Sequence, residues 1–579
     1  MAQVKYPVQQ LHRIAWTKLT QDQIGDKLRA ANGPSSASEL SDVYAGRQIK
    51  IVTGHGPALS YRFSSRNRLA VSENGAAAAE AGYGALTLGD IVFFTHLLPG
   101  TQRGYHVIVD RHTNLATVFE VWFSGYKDNR EVQRQAYHGY VELSGQEPPK
   151  ARHAPTNRAE GKGYYWKQDS GIETLEFYPS TAYSNFVELT RLGGELGFCA
   201  PTDYILVNDQ VCIYQRTECE FSGIQTIYAF DANRVEQIGA RLGFNEKDEL
   251  EYYVFRGHGE WLGQLAHFEK FGDAGVPPAN QPAAAKGARR VYRPIETFKT
   301  FTRPEFDRIA AQHPAKVFPP GANAMAGNKQ EASGYLAGTA MTIRYDRGPV
   351  IEYNFDEIQS LRWREQGVSN WTVARYEAWE SAPGLIMFAH LLAGAPNHDC
   401  HVVVADFDNN LASCLHGTMG SHYIGNEAQV ENLFGVLERQ GSVAPKYARH
   451  HFTDELVGKA LTWNYSTETG LTSMHLYTTP HSLSWIIFGQ DGAGGLEWSG
   501  PAAYVKIREG IYLGYWLEEA CNGTLGTILI NMNTMHDCGA GYHGGPDGVS
   551  LTAVGAHARH AGQFNVRKYF QPGRGVSSV

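Results

Sequence analysis

The chain has no excess of positive charge, no long apolar run and few cysteines. Its 51 Lys and Arg against 59 Asp and Glu leave a formal charge of −8. No segment collects basic residues into a footprint for a phosphate backbone, so nucleic acid is not an expected partner. No stretch reaches the ~18 consecutive apolar residues that a membrane helix needs. The start, Met1-Ala-Gln-Val-Lys-Tyr-Pro, carries no apolar signal region. A cytoplasmic protein without a membrane partner is therefore expected. The seven cysteines (Cys199, Cys212, Cys219, Cys400, Cys414, Cys521 and Cys538) are odd in number and scattered. They form neither a disulfide framework nor a zinc spacing. Three glycosylation triplets, at Asn370, Asn464 and Asn522, read as chance without a secretion signal. Cofactor loops are missing too. There is no G-x-x-x-x-G-K-[ST] and no Gly-x-Ser-x-Gly, and the letter match to G-x-G-x-x-G at Gly539 to Gly544 runs into Gly545, Pro546 and Gly548 and cannot open a helix. Kinases, nicotinamide enzymes and α/β-hydrolases are disfavoured, and neither cofactor nor metal is expected.

What the chain does have is turns and aromatics: 62 Gly, 31 Tyr and 26 Phe in 579 residues. At ~150 residues per domain the length suggests roughly four domains, and 42% hydrophobic residues supply the cores. The chain also repeats itself. Gly46-Arg-Gln-Ile-Lys-Ile matches Gly338-Thr-Ala-Met-Thr-Ile, and Gly56-Pro-Ala-Leu-Ser-Tyr-Arg-Phe63 matches Gly348-Pro-Val-Ile-Glu-Tyr-Asn-Phe355, both displaced by 292 positions (338−46, 348−56). Phe94-Thr-His-Leu-Leu-Pro-Gly100 matches Phe388-Ala-His-Leu-Leu-Ala-Gly394, and His106-Val-Ile-Val matches His401-Val-Val-Val. The later parts correspond in register: Tyr178 with Tyr477, Tyr204 with Tyr504, Glu218 with Glu518 and Gly239 with Gly539. A tandem duplication explains five blocks in one order.

Leu59, Tyr61 and Phe63 alternate with Ser60 and Arg62, and Ile351, Tyr353 and Phe355 with Glu352 and Asn354, the period of a half-buried strand. The expected organisation is all-β. A helical prelude (1–45) leads to barrels at 46–150 and 151–270, a linker and second prelude (271–333) to barrels at 334–450 and 451–579. Each unit has room for roughly eight short antiparallel strands, enough to enclose one small ligand. A β-sandwich is the rival.

Tyr515-Trp-Leu-Glu-Glu-Ala-Cys-Asn-Gly-Thr524 and Asn533-Thr-Met-His-Asp-Cys-Gly539 resemble the carboxy-terminal signature of MoaF-like proteins, and Gly348-Pro-x-x-Glu-Tyr with Phe388 resembles their amino-terminal domain. The resemblance covers 334 to about 571 well and 41 to about 270 more loosely. It implies four lipocalin-like (calycin) barrels in two tandem MoaF-like halves, distantly similar to phenolic acid decarboxylases. The family's label, molybdenum cofactor biosynthesis protein F, finds no nucleotide loop or cysteine cluster here to support it. The first half departs from the signature, with Gln215-Arg-Thr-Glu-Cys219 in place of Tyr515-Trp-Leu-Glu-Glu519 and no Met-His-Asp-Cys run. Activity tied to that run is expected in the second half.

The candidate chemistry lies on apolar strand faces. His96 and His390 share such faces with Phe94 and Phe388. Each is either a neutral acid or base or a core histidine bonded to backbone. His106 and His401 begin their strands, so their facing stays open, and the histidines around His401 match no standard metal spacing. Glu518 shares a face with Tyr512 and Trp516, where burial would raise its pKa and suit it to general acid or base work, unless that face is solvated. Glu218 beside Arg216 reads as an ion pair, or as an arginine that anchors a substrate carboxylate. In Met535-His-Asp-Cys538 neighbours point to opposite faces, so His536 and Cys538 share one and Asp537 the other. The recurrent tyrosines, Tyr61, Tyr353, Tyr204 and Tyr504, either bind a ligand's polar groups, as the distant decarboxylases imply, or fill cores.

The expected catalytic set is Glu518, His390, His536 and Tyr353. The expected binding set is Tyr504, Tyr512, Trp516, Phe388, His401, Tyr61, His96, Arg216 and Glu218. Together they suit a cofactor-independent lyase, hydratase, isomerase or cyclase that moves a proton on a phenolic or other hydrophobic substrate. The alternative is a protein that carries or senses a small hydrophobic ligand. The halves can pack as a pseudo-dimer, with a homodimer as the further option.

Overall fold

The computed structural model describes residues 19–123, 129–180, 183–190, 197–218, 222–245, 247–265, 300–321, 323–421, 424–488, 497–518 and 523–570. The expected linker around 272–286, and Cys219, His422, Glu519, Cys521 and Asn522, lie outside them. The fold is all-β. The first barrel runs up and down from Gln48–Thr53 to Val132–Val141 and closes by the pairs Ile51↔Val141 and Thr53↔Gly139. The third runs from Ala340–Tyr345 to Ala428–Glu438 and closes by Thr342↔Glu438 and Tyr345↔Gly435. The alternation at 59–63 is as expected, with Leu59, Tyr61 and Phe63 buried and Ser60 and Arg62 exposed. Closure rules out the open sandwich for these units.

The expectation of four separate barrels needs correction. The remaining strands join one 21-stranded sheet. Within it, Lys162–Gln168 to Leu250–Leu265 form a closed eight-stranded ring, because Leu250–Leu265 is long enough to pair with Glu236–Phe244 at one end and Lys162–Gln168 at the other. In the second half that long strand is broken into Gly548–Val554 and His557–Phe564. Asp537 explains the break, since its Oδ1 takes the Ala556 N–H at 2.6 Å. This fourth ring, from Lys459–Ser466 to His557–Phe564, returns to His536–Gly545 through the single pair His536↔His557. The two rings are stitched together by Gly263↔Phe564, Gln264↔Gln563 and Leu265↔Gly562.

Among the described residues each helical prelude holds one α-helix. Gln21–Arg29 carries a reciprocal cap, in which Thr20 Oγ1 accepts from the Gln23 amide at 3.2 Å and Gln23 Oε1 from the Thr20 amide at 2.9 Å. Ile24 and Leu28 then join the apolar layer between the first barrel and the second ring. Arg303–Gln312 has Pro304 in its first turn. Its Phe306 enters the matching layer between the third barrel and the fourth ring. The first barrel, the second ring and the third barrel each have an interior core of their own, whereas the core of the fourth ring runs on into Tyr165, Phe177 and Leu265 of the second.

Candidate functional site

The expected site residues fall into four different interiors rather than one. In the third barrel, Tyr353, Phe388, His390 and His401 meet. The Tyr353 hydroxyl stands 3.1 Å from His401 Nδ1 and 3.4 Å from His390 Nε2, and His390 Nδ1 donates to the Leu391 carbonyl at 3.1 Å. Burial lowers the His390 pKa to about 4 and pushes His401 well below its ordinary value, so both rings are neutral at pH 7. The first barrel keeps only part of this cluster, with His96 Nε2 3.2 Å from the Tyr61 hydroxyl.

The block match of His106 to His401 is off by one residue. His390 lies opposite His401, whereas His96 lies opposite Tyr105. Tyr105 is therefore the inward residue. His106 points out and bonds Gln225 of the second ring at 2.8 Å. A slip of one position reverses the face of a strand residue.

In the second ring, Arg216 is clasped from several sides. Its Nη1 lies 2.5 Å from Glu176 and its Nη2 3.6 Å from Glu218, and its guanidinium sits 3.6 Å above the Phe186 ring centre. Arg241 lies 2.9 Å from Glu188, 3.4 Å from Glu218 and 2.8 Å from Glu251. Of the two readings left open for Arg216 and Glu218, the ion pair is what forms. The network fills one end of the ring, and an aromatic cluster around Trp166, Tyr178, Tyr214 and Tyr228 fills the rest.

The fourth ring is built on the same register with different residues. Its pairs His475↔Trp485, Ala502↔Trp516, Tyr504↔Gly514 and Gly526↔Gly541 occupy the places of Glu176↔Phe186, Thr202↔Arg216, Tyr204↔Tyr214 and Thr226↔Arg241. Where the second ring has two arginines, the fourth has Trp516 and Gly541. Trp516 lies flat on the wall because Gly526 leaves room, a Cβ there falling 2.4 Å from the indole. Its Nε1 donates to Glu518 Oε1 at 2.8 Å, so the fold joins these two predicted residues at the end of their strand. Tyr504 and Tyr512 share the interior core. Their hydroxyls are committed, however, to the Ser482 carbonyl at 2.8 Å and to Glu455 at 2.6 Å.

The sequence reading missed two inward groups. Asp537 is fully buried, with Cys538 turned the other way into the layer against the third barrel. Its Oδ2 has no partner, and desolvation raises its pKa to about 8, opposed by the Ala556 N–H. His475, on the strand of Tyr477, packs against Trp516 at 5.2 Å and Trp463 at 5.9 Å between ring centres. Burial lowers its pKa to about 3, and its Nδ1 has no partner. The alternation Ser473, His475, Tyr477 was the available signal. His536 lies outside the ring, where Nε2 donates to the Asn328 carbonyl at 2.9 Å and Nδ1 lies 3.1 Å from Gln330 Nε2. It does not join Glu518, His390 or Tyr353.

No helix among the described residues is long and apolar enough to cross a membrane, and no group of three metal-binding side chains gathers among them. No curated protein matches the chain. Residues 321–421 match the model of the MoaF N-terminal domain, which spans most of the third barrel, and residues 450–564 match that of the MoaF C-terminal domain, which spans the fourth ring. The third barrel and the fourth ring are thus similar to a MoaF domain pair, N-terminal domain before C-terminal domain.

Proposed function

We propose that the fourth ring is the working site of a cofactor-independent enzyme that moves a proton on a small aromatic, hydrophobic molecule held in a lipocalin-like interior. One observation carries this reading: Asp537, a buried carboxyl with an unpartnered oxygen, faces a core rich in tryptophan and tyrosine. With a pKa of about 8 it is protonated at neutral pH and can donate from Oδ2. Trp516 and its aromatic neighbours offer flat surfaces to a planar substrate. Neutral His475 supplies a hydrogen bond to a substrate polar group. Glu518, oriented by Trp516, stands at the end of the same strand. Phenolic or related substrates entering a lyase, hydratase, isomerase or cyclase reaction fit these groups.

The test is a turnover screen with phenols and hydroxycinnamates, followed by Asp537→Asn on any substrate found. A loss of about a hundredfold in kcat/KM is expected, the lower range for general acid catalysis. Undiminished turnover removes Asp537 from the mechanism. A carrier or sensor is the second reading, favoured by the aromatic lining of this interior, where Trp463 and Trp516 pack against His475 at 5.9 and 5.2 Å between ring centres. Native mass spectrometry showing a co-purified organic molecule that is never converted supports it.

A further inference from the structure

The first and third barrels repeat one design and differ at one mouth. In the first barrel that mouth is bolted across. Arg103 Nη2 lies 3.2 Å from Glu73 Oε1 and its Nε donates to Glu120 Oε1 at 2.8 Å, while the Tyr105 hydroxyl donates to Glu73 and the Tyr137 hydroxyl to Glu120 at 3.3 Å. Glu73 ends Arg68–Glu73 and Arg103 opens Arg103–Asp110, strands with two others between them in the barrel order, so the bolt spans the interior. The third barrel has other residues at these places. The pairs His401↔His416 and Tyr353↔Trp363 stand where the first barrel has Tyr105↔Glu120 and Tyr61↔Val71. Asp399 takes the place of Arg103, its carbonyl accepting from the Leu392 amide at 2.8 Å as that of Arg103 accepts from Leu98. The ion pair is thereby inverted, with a carboxylate where the cation stood and His416 Nε2 donating to Asp399 Oδ2 at 2.8 Å. Glu365, at the place of Glu73, is exposed, and among the described residues neither its side chain nor that of Trp363 or His416 bonds across this mouth.

Beneath this mouth the hydrogen bonds fix the protons. The Leu391 carbonyl only accepts, so His390 carries its proton on Nδ1. Burial keeps His390 and His401 neutral. The bare His390 Nε2 therefore takes the Tyr353 O–H, and the Tyr353 oxygen takes the proton on His401 Nδ1. His401 is left with a lone pair on Nε2 that has no partner among the described residues, in a side chain 2% exposed. The Trp363 ring centre lies 6.4 Å from that of His401 and 6.1 Å from that of His390, and its buried Nε1–H has no partner either. A hydroxyl answers both groups from a single atom, giving its proton to the imidazole and accepting that of the indole. An ammonium has no lone pair for the indole and meets the same desolvation that discharges the imidazoles. A carboxylate finds Asp399 where the first barrel holds its arginine. We propose that the third barrel is a second ligand site, which takes a small neutral aromatic alcohol of the phenol type with its hydroxyl between His401 Nε2 and Trp363 Nε1 and the Asp399–His416 pair at its rim. It is a different interior from the fourth ring and does not depend on the function proposed there.

The test soaks crystals of the full chain with 4-bromophenol and, separately, with 4-bromoanisole, which has a similar shape and no O–H. Anomalous scattering from bromine shows which interior each compound enters. 4-Bromophenol is expected in the third barrel with its oxygen at His401, and 4-bromoanisole is expected to be absent there. In titration calorimetry the full chain is expected to bind one more equivalent of 4-bromophenol than His401→Phe does. The comparison of the two compounds on the unaltered chain keeps the test decisive if that variant does not fold. Both compounds in the third barrel overturn the hydroxyl assignment. Bromine in the crystal with no matching event in calorimetry is binding at crystal concentration only and overturns the site. A third barrel empty of 4-bromophenol overturns it as well, whatever the fourth ring holds, and leaves the function proposed for that ring to its own turnover test.

Discussion

Asp537 sets a signature on stability as well as on chemistry. Its ordinary pKa of 3.8 describes the unfolded chain, and burial raises the folded value to about 8. Between those values the folded state holds a proton that the unfolded state has released. Stability therefore falls as pH rises through this window, is fully retained below about pH 4 and levels off above about pH 8. At 1.36 kcal/mol per pH unit, the loss accumulated from 3.8 to pH 7 is about 4 kcal/mol. Asp537→Asn removes the titration. Its buried amide has an unpartnered N–H that takes back roughly 1–3 kcal/mol. A net gain of about 1–3 kcal/mol at pH 7 is expected, a rise in melting temperature of a few degrees for a unit of this size. The assay is thermal unfolding by circular dichroism from pH 4 to 9. The two curves should cross, the variant being roughly 1–3 kcal/mol less stable near pH 4 and more stable above about pH 6, with the gap widening up to pH 8. Parallel curves would show that Asp537 is not desolvated in the folded chain and would refute the argument.

Further expectations follow from the other interiors. Arg216→Met leaves Glu176 and Glu218 buried without their shared cation. It should lower stability by roughly 3–5 kcal/mol in chemical denaturation while leaving ligand binding in the fourth ring intact. Tyr353→Phe strands two imidazole nitrogens and should cost about 1–3 kcal/mol in the same assay. His536→Ala frees the segment held at Asn328 and Gln330, so faster amide exchange is expected at 328–330, read by mass spectrometry, with no change in turnover. A loss of turnover there would return His536 to the active set.

The sequence made the strands legible because alternation is local: Tyr61 and Tyr353 betray their face through their immediate neighbours. The pair Trp516 and Glu518 was legible for the same reason, two residues apart on one face. Orientation at a strand's first residue was not, because nothing before His106 or His401 fixes the phase, and a shift of one position separates an inward ring from an outward one. The filling of the second ring was also hidden. Its charge network joins Glu176 to Arg216 and Glu188 to Arg241, residues that become neighbours only when the ring closes. Asp537 was read beside His536 and Cys538, yet the pleat that separates it from them is what carries it inside. The broken strand at Gly555 and Ala556 has no signal of its own, since its cause is the Asp537 side chain on another strand.

The stitch between Gly263–Leu265 and Gly562–Phe564 is a handshake of corresponding strands. Two separate copies joined in this way must carry identical sequences, so any substitution is suffered on both sides at once. Written into one polypeptide, the two sides are released from that obligation. One copy can drift towards a rigid, salt-filled body that steadies the joint. The other can lose bulk and gain reactivity without unravelling alone. The joint is thus what permits division of labour, and selection on ligand recognition in this chain should be sought in the fourth ring rather than averaged over both halves.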